Sequence, residues 1–156
     1  MKRKLQIAVI GDGSPSRQIL HWAEEVGRLV AQNEGVLICG GLSGVMAAAA
    51  RGAAEAGGLT VGILPSYDAT TANDSIAVTI ATGLGHARNM LVVSSSDAVI
   101  ALPGSYGTLS EVALALTLRK PVISVNAWAD VRGVEATDSP TAAVALAFAA
   151  AHRIQH

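Results

Sequence analysis

The sequence predicts an α/β fold: a single-domain, doubly wound parallel sheet with helices on both faces. Short β-branched runs alternate with amphipathic or alanine-rich stretches, which is the pattern of a parallel sheet wrapped by helices. Of the 156 residues, 51% are apolar and 15% are charged, so the chain can bury one substantial core. Aromatic residues make up only 3%, and this favours close helix-on-sheet contacts built from alanine and glycine. A disordered chain is excluded.

Six strands and five helices are predicted in alternation. Residues 5–10 are apolar except for Gln6, as expected of a strand covered on both faces, and the first helix follows the turn at 11–16. The remaining strands are predicted at 36–39, 59–64, 76–80, 98–102 and 122–125, and the remaining helices at 45–56, 88–95, 108–118 and 141–152. Segments 66–74 and 126–140 lack periodicity and are predicted to be loops. This order is typical of one Rossmann-like domain over residues 1–156.

Charge and cysteine content limit the partners and the location. Eleven basic and twelve acidic side chains give a formal charge of −1, which disfavours nucleic-acid binding through a general basic field but leaves a local anion site open. No apolar run reaches the roughly 18–20 residues that span a bilayer, and the basic start leads into a strand rather than a signal peptide. The single cysteine, Cys39, fits a reducing compartment. We expect a cytoplasmic protein without a membrane partner.

Four glycine-rich turns follow predicted strands, at 11–13, 40–44, 83–85 and 104–107. Ligands of such sheets bind at the carboxyl ends of strands, where free N–H groups of the next helix attract an anion. The turns together predict a ligand with a phosphate group, although a tight connection alone also requires glycine. The candidate ligand-binding residues are Gly11, Asp12, Gly13, Gly40, Gly41, Ser43, Gly44, Arg88, Asn89, Gly104, Ser105, Tyr106, Gly107 and Thr108.

Two common nucleotide fingerprints are absent. A dinucleotide motif would need glycine where Ser16 stands and an acidic residue near Cys39, and there is no P-loop motif. The sequence therefore disfavours an NAD-dependent oxidoreductase and a P-loop NTPase. The four histidines, at 21, 86, 152 and 156, have no metal-ligand spacing, so no metal site and no intrinsic cofactor are predicted.

Three segments resemble motifs of one superfamily. Residues 103–111, PGSYGTLSE, resemble the P-G-G-x-G-T-x-x-E motif of the family once labelled lysine decarboxylase-like and known through the cytokinin-activating phosphoribohydrolases, the LOG family. Residues 40–46, GGLSGVM, resemble its second motif, and 83–89, GLGHARN, are similar to the molybdenum cofactor carrier branch. The resemblance covers about residues 5–125 and implies a homodimer or higher homo-oligomer.

Two departures from the hydrolase pattern favour a carrier. Ser105 replaces the second glycine of the motif, and Asn89 replaces the lysine of an Arg-Lys pair. The resemblance thus implies a binding or carrier protein for a phosphorylated heterocycle, with molybdenum cofactor (molybdopterin) as cargo. The alternative is a phosphoribohydrolase that cleaves the N-glycosidic bond of a nucleoside 5′-monophosphate, and a DNA-processing module is a distant third. Lysine decarboxylation is rejected because Lys2, Lys4 and Lys120 are poorly placed for a Schiff base.

Arg88 and Glu111 would be catalytic only in the hydrolase. The resemblance implies that Glu111 acts on the ribosyl centre, where positive charge develops. Alternatively, Thr108 and Glu111 form a capping box at the helix start. Arg88 is unfavourable at a helix N-terminus, so we expect it to face an anion or Glu111, with a solvated arginine as the alternative. Asp12 either binds ligand or caps the first helix.

The predicted helix at 108–118 also bears on assembly. It is apolar on nearly every side, which predicts burial on a second face. Either a second subunit or the last helix of the same chain would provide that cover.

Overall fold

The computed structural model describes residues 1–154 and contains seven strands and five helices in that range. The predicted site and core residues all lie within it, whereas His156 and the end of the predicted domain lie outside. The strands are β1 Gln6–Ile10, β2 Val36–Cys39, β3 Leu59–Leu64, β4 Val78–Ala81, β5 Ala98–Ala101, β6 Val122–Val125 and β7 Val134–Thr137. The helices are α1 Arg17–Gln32, α2 Val45–Glu55, α3 Arg88–Ser94, α4 Tyr106–Thr117 and α5 Pro140–Ile154.

All seven strands are parallel and form one sheet in the order β4-β3-β2-β1-β5-β6-β7. At the centre, Ala8 of β1 lies opposite Ile38 of β2 on one side and Val99 of β5 on the other. The strand order therefore reverses at β1, and in such sheets this reversal opens a crevice at the carboxyl ends of the strands. The predicted doubly wound parallel sheet is confirmed.

The helices divide into two layers. Helices α1, α2 and α5 pack on one face around Ile7, Val9 and Leu37, and helices α3 and α4 pack on the other around Ala8 and Val99. Within the first layer, α1 and α2 meet backbone to backbone, since a side chain on Gly27 would collide with the Ala49 carbonyl group. This close approach explains the use of alanine and glycine instead of large apolar residues.

Most boundaries agree with the sequence prediction to within one or two residues, but two boundaries and one strand differ in ways that matter. Strand β4 is displaced towards the C-terminus from the predicted 76–80, and helix α4 begins two residues earlier than predicted, at Tyr106. Strand β7 lies within segment 126–140, which the sequence predicts to be a loop, so that prediction is wrong for these four residues. It is a four-residue edge strand, VEAT, paired only with β6, and its half-exposed sequence has no apolar run that would reveal it.

The last helix does not cover α4. Helix α5 returns over β5 and β6 on the face that carries α1, so the hypothesis that α5 buries the second side of α4 is wrong. Leu109 and Leu118 of α4 consequently remain exposed. Nothing in residues 1–154 forms a helix long and apolar enough to cross a membrane.

Candidate functional site

A cavity of about 230 Å³ lies at the carboxyl edge of the sheet, where the strand order reverses. It brings together the ends of β1 and β2 with the first turns of α2, α3 and α4. Its lining residues are Val9, Ile10, Gly11, Asp12, Gly13, Gly40, Met46, His86, Arg88, Asn89, Ser105, Gly107, Thr108 and Glu111. Other concave regions lie on the outer surfaces of helices, at the opposite edge of the sheet and on the uncovered face of its outer strands.

Most of the candidate residues chosen from the sequence line this cavity, but some do not. Tyr106 is 89% exposed and is outside the lining. The other candidates outside the lining are Gly41, Ser43, Gly44 and Gly104. Met46 and His86 line the cavity although they were not among the candidates; both belong to the motif segments 40–46 and 83–89, which could have revealed them.

The turn at 11–13 links two of the other glycine turns, those at 40–44 and 104–107, through the backbone of Asp12. The Asp12 N–H donates to the Pro103 carbonyl oxygen (3.2 Å), and the Asp12 carbonyl accepts from the Val45 N–H (2.9 Å). The Asp12 carboxylate accepts from the Ser14 N–H (3.0 Å), while the Ser16 hydroxyl caps α1. Asp12 therefore stabilises its own turn and is not the cap of α1.

The turn before α4 carries a row of unpaired donors. Among residues 1–154, no protein acceptor is found for the backbone N–H groups of residues 104–108. Ser105 occupies the N-cap position, but its side chain makes no capping hydrogen bond. These donors lie at the N-terminus of a twelve-residue helix, whose dipole adds positive potential. This arrangement can hold an anion.

Side chains at two glycine positions of this turn would have different consequences. A Cβ on Gly104 would collide with the Thr108 side chain, so glycine is needed there for packing. A Cβ on Gly107 would meet no atom within 4 Å, so packing does not require glycine there. Since Gly107 lines the cavity, a larger side chain would narrow the cavity without disturbing the core.

Arg88, at the start of α3, is only 8% exposed. Its guanidinium donates to the Asn89 Oδ1 atom and to the Gly40 carbonyl oxygen (3.4 Å), while its buried Nε has no partner in residues 1–154. A Cβ on Gly40 would lie 2.6 Å from both the Arg88 Nη2 and the Met46 Sδ, so a side chain there would displace the guanidinium or the thioether. Burial lowers the pKa of Arg88, and the nearby Glu111 opposes this effect. The solvated-arginine alternative is wrong.

Glu111 is 9% exposed and faces the cavity from α4. Burial raises its pKa to about 7, although the positive charge of Arg88 acts in the opposite direction. Within residues 1–154 the two side chains form no ion pair shorter than 4.0 Å. Because α4 begins at Tyr106, Glu111 is the sixth residue of the helix, so the capping-box hypothesis is wrong.

The remaining chemistry-bearing groups near the site are unsuited to nucleophilic or metal chemistry. Cys39 is fully buried, and burial raises the pKa of its thiol to about 11. In the described part of the chain, no three His, Cys, Asp or Glu side chains are grouped so that they could hold a metal ion. The site therefore offers backbone donors, one buried guanidinium and one carboxyl group that can exchange a proton near neutral pH.

The parallel sheet and the cavity at its carboxyl edge define a Rossmann-like α/β protein with a cavity walled by glycine turns. The chain belongs to the SLOG cluster4 family, whose sequence profile matches residues 4–153.

Individual relatives are of two kinds. A molybdenum cofactor binding protein from the phototrophic bacterium Rippkaea orientalis is 41% identical, with a TM-score of 0.91 over 96% of this chain and 98% of that chain. The molybdenum cofactor carrier protein of Chlamydomonas reinhardtii is 34% identical, with a TM-score of 0.85 over 94% and 98%. A cytokinin riboside 5′-monophosphate phosphoribohydrolase of Mycobacterium tuberculosis is 33% identical over 83% of this chain and 75% of its own length.

The raised pKa of Glu111 predicts a pH-dependent stability. Between its ordinary value of 4.5 and about 7, the folded protein keeps a proton that the unfolded chain has released, so stability should fall as pH rises through this window. The expected loss is on the order of 3 kcal/mol, at about 1.4 kcal/mol per pKa unit. Urea unfolding at a series of pH values measures it.

Glu111→Gln should lack this component of the pH dependence, and Glu135→Gln, at an exposed position of β7, should retain it. Identical pH profiles for wild type and Glu111→Gln would show that Glu111 ionises as an ordinary carboxyl group.

Proposed function

We propose that the protein binds and carries a phosphorylated heterocyclic ligand, with molybdenum cofactor as the cargo. The observation that carries this proposal is the buried Arg88, whose Nε lacks a partner in the described chain, beside a cavity with the free amides of α4 in its wall. A buried cation without a full set of partners is costly unless a ligand anion completes it. The likeness to two molybdenum cofactor proteins over nearly the whole chain supports this cargo.

The ligand contacts proposed at the cavity combine charge with backbone donors. The amides at Ser105, Gly107 and Thr108 bind phosphate oxygens, and Arg88 supplies the compensating charge. Asn89 holds the guanidinium in place through its Oδ1 atom. No step in this function breaks a covalent bond, so no intrinsic cofactor is needed and the molybdenum arrives within the cargo.

Location and partners follow from the same features. We place the protein in the cytoplasm, in keeping with the free, buried Cys39. The net charge of −1 gives no general field for nucleic acid, so the proposed partner is a small molecule.

The binding proposal predicts that a side chain at position 107 blocks the ligand. Gly107→Val should reduce the affinity for molybdenum cofactor and for AMP at least tenfold, or about 1.4 kcal/mol, because it narrows the cavity. Isothermal titration calorimetry measures the affinity, and mass spectrometry identifies any ligand that copurifies with the wild type. The melting temperature should change little.

Ala149→Val is the control, since it adds bulk at an exposed position of α5 far from the cavity. Unchanged affinity in Gly107→Val would show that the ligand binds elsewhere.

Phosphoribohydrolase activity is the second candidate, favoured by the buried Glu111 in the cavity and by the Mycobacterium tuberculosis relative. Hydrolysis would need ionised Glu111 to stabilise an oxocarbenium-like transition state. Burial disfavours that ionised form, and Asn89 provides no second cation for the phosphate. These features favour the carrier over the hydrolase.

Release of free base from AMP separates the two functions. For a carrier, we expect no turnover by the wild type, little change in affinity in Glu111→Gln, and a loss of about 1.5–3 kcal/mol of binding in Arg88→Ala through a lost charged hydrogen bond. Glu135→Gln serves as the control. Wild-type turnover that Glu111→Gln abolishes would establish the hydrolase instead.

We also propose that the protein is a homodimer or a higher homo-oligomer, built on the face that carries α3 and α4. On that face no helix within residues 1–154 covers the outer half of the sheet, which leaves a groove of about 350 Å³ beside the α3–α4 ridge. The branched side chains lining the groove are Val36, Ile38, Leu59, Val61, Ile63, Val78 and Ile80. A two-fold axis can place the ridge of each copy in the groove of the other.

Charge supports a second copy as the occupant. Between residues 76 and 118 the acidic, lysine and arginine side chains are only Arg88, Asp97 and Glu111. Two of them line the cavity, and Asp97 pairs with Arg3 (2.7 Å). The opposite face carries ion pairs such as Arg51–Glu24 (2.7 Å). An apolar face without charged side chains can pack against the same face of a second copy of the chain. A large exposed apolar patch of this type marks an interaction site.

Ile80→Asp and Leu109→Asp should therefore convert the oligomer to monomer, because each buries a charge in the interface. Sedimentation velocity of the 15.8 kDa chain measures the change. Ile154→Asp, an exposed apolar position on α5, should leave the assembly intact. A monomeric wild type would contradict the proposal.

A further inference from the structure

The segment between β3 and β4, residues 65–77, is attached to both glycine turns beside it. The Gly83 N–H donates to the Ser66 carbonyl (3.1 Å) and the Gly85 N–H to the Pro65 carbonyl (2.9 Å). At the other end of the segment, Asn73 reaches the turn at 40–44. The segment lacks regular structure apart from one short 3-10 turn, so these hydrogen bonds define its position.

Asn73 uses its backbone and both side-chain polar atoms in this contact. Its N–H donates to the Gly41 carbonyl oxygen (2.9 Å). Its Nδ2 donates to the carbonyl oxygens of Gly41 (3.2 Å) and Leu42 (2.9 Å). Its Oδ1 accepts from the Ser75 N–H (3.1 Å), which fixes the orientation of the amide group. Two successive carbonyl groups of the turn are thus held by one side chain.

Because peptide groups are planar and trans, fixing the Gly41 and Leu42 carbonyl groups also fixes the direction of the N–H groups that follow them. In each peptide unit the C=O and the following N–H point in opposite directions. Because the carbonyls of Gly41 and Leu42 point towards Asn73, the N–H groups of Leu42 and Ser43 point away from it. In the strand order β4-β3-β2-β1, away from the β3–β4 segment means towards the turn at 11–13, whose residues line the cavity.

Neither of these N–H groups has an acceptor in the described part of the chain. They precede α2, an eleven-residue helix, on the same turn whose Gly40 carbonyl receives the buried Arg88 guanidinium. The Ser43 hydroxyl reaches the Gly13 carbonyl oxygen (3.3 Å), so the turn lies against the 11–13 turn beside the cavity. A second set of free donors therefore lies beside the turn at 11–13, whose residues line the cavity.

We infer that Asn73 is a positioning residue for ligand binding: it aims the Leu42 and Ser43 amides at an anionic group of the ligand. This inference rests on the proposed binding function and extends it, because it gives the ligand a second anion contact at the N-terminus of α2. Asn73 itself does not touch the ligand. It acts through the carbonyls that it holds.

The test is a titration of the 15N-labelled protein with inorganic phosphate, followed by amide chemical shifts. In the wild type, the shifts of Leu42 and Ser43 and those of Gly107 and Thr108 should change and saturate. In Asn73→Ala, the response of Leu42 and Ser43 should be lost, while that of Gly107 and Thr108 persists. The α4 amides thus serve as an internal reference. A general loss of structure would abolish their response as well, whereas loss of the Asn73 contact alone would not.

Two further variants keep the result interpretable. Asn73→Asp preserves size and the acceptor for Ser75 but removes both side-chain donations, so it should reproduce the loss even if Asn73→Ala folds poorly. Asn33→Ala removes a similar donation, from Nδ2 to the Leu29 carbonyl (2.8 Å), far from the site. It should respond to phosphate as the wild type does.

The outcomes separate this inference from the binding proposal. An equal response of all four amides in wild type and Asn73 variants would overturn the role of Asn73 and leave the α4 site standing. The role of Asn73 would also be overturned if phosphate left the Leu42 and Ser43 amide shifts of the wild type unchanged. The same holds if an Asn73 variant lost the shift changes equally at all four amides. Unchanged Gly107 and Thr108 amide shifts in the wild type on phosphate addition would overturn the proposed α4 site itself.

Discussion

The cavity depends on the backbone of Asp12, which joins three separate turns at the carboxyl edge of the sheet. Its N–H donates a hydrogen bond to the Pro103 carbonyl oxygen, before α4, and its carbonyl oxygen accepts one from the Val45 N–H, at the start of α2. The strands bring these turns to one edge, but parallel pairing alone does not fix the distance between them. Since both contacts are backbone hydrogen bonds, the relative positions of α2 and α4 are independent of the side chain at position 12.

The site concentrates groups that the rest of the fold avoids. Arg88 and Glu111 are both nine-tenths buried without a direct ion pair between them, although burial of charge opposes folding. Asn89 and the Gly40 carbonyl satisfy only part of the guanidinium. The backbone contact between α1 and α2 and the ladder of parallel strands stabilise the domain elsewhere. Under the proposed binding function, an anionic ligand would complete the electrostatics of this site.

The sheet could be predicted because its central strands are continuous apolar runs, as at 36–39 and 122–125. Strand β7 could not, because its pairing with β6 comes from tertiary position and not from its own sequence. The glycine turns and Arg88 were found from local sequence alone. The start of α4 was misplaced because Thr-x-x-Glu spacing imitates a cap, and the role of Asn73 depends on a contact across 32 residues that no local pattern records.

The row of free amides before α4 has a consequence for the divergence of such proteins. Main-chain donors persist when a side chain is exchanged, so a change such as glycine to the serine at position 105 alters the wall of the cavity and keeps its N–H groups. Binding of an anionic group and selectivity for a ligand are therefore separable. The backbone conformation of the turn would determine the first, and the few side chains that surround the cavity would determine the second. One fold could in this way acquire new ligands through single substitutions in the cavity wall, each of which leaves the backbone donors for a shared anionic group unchanged.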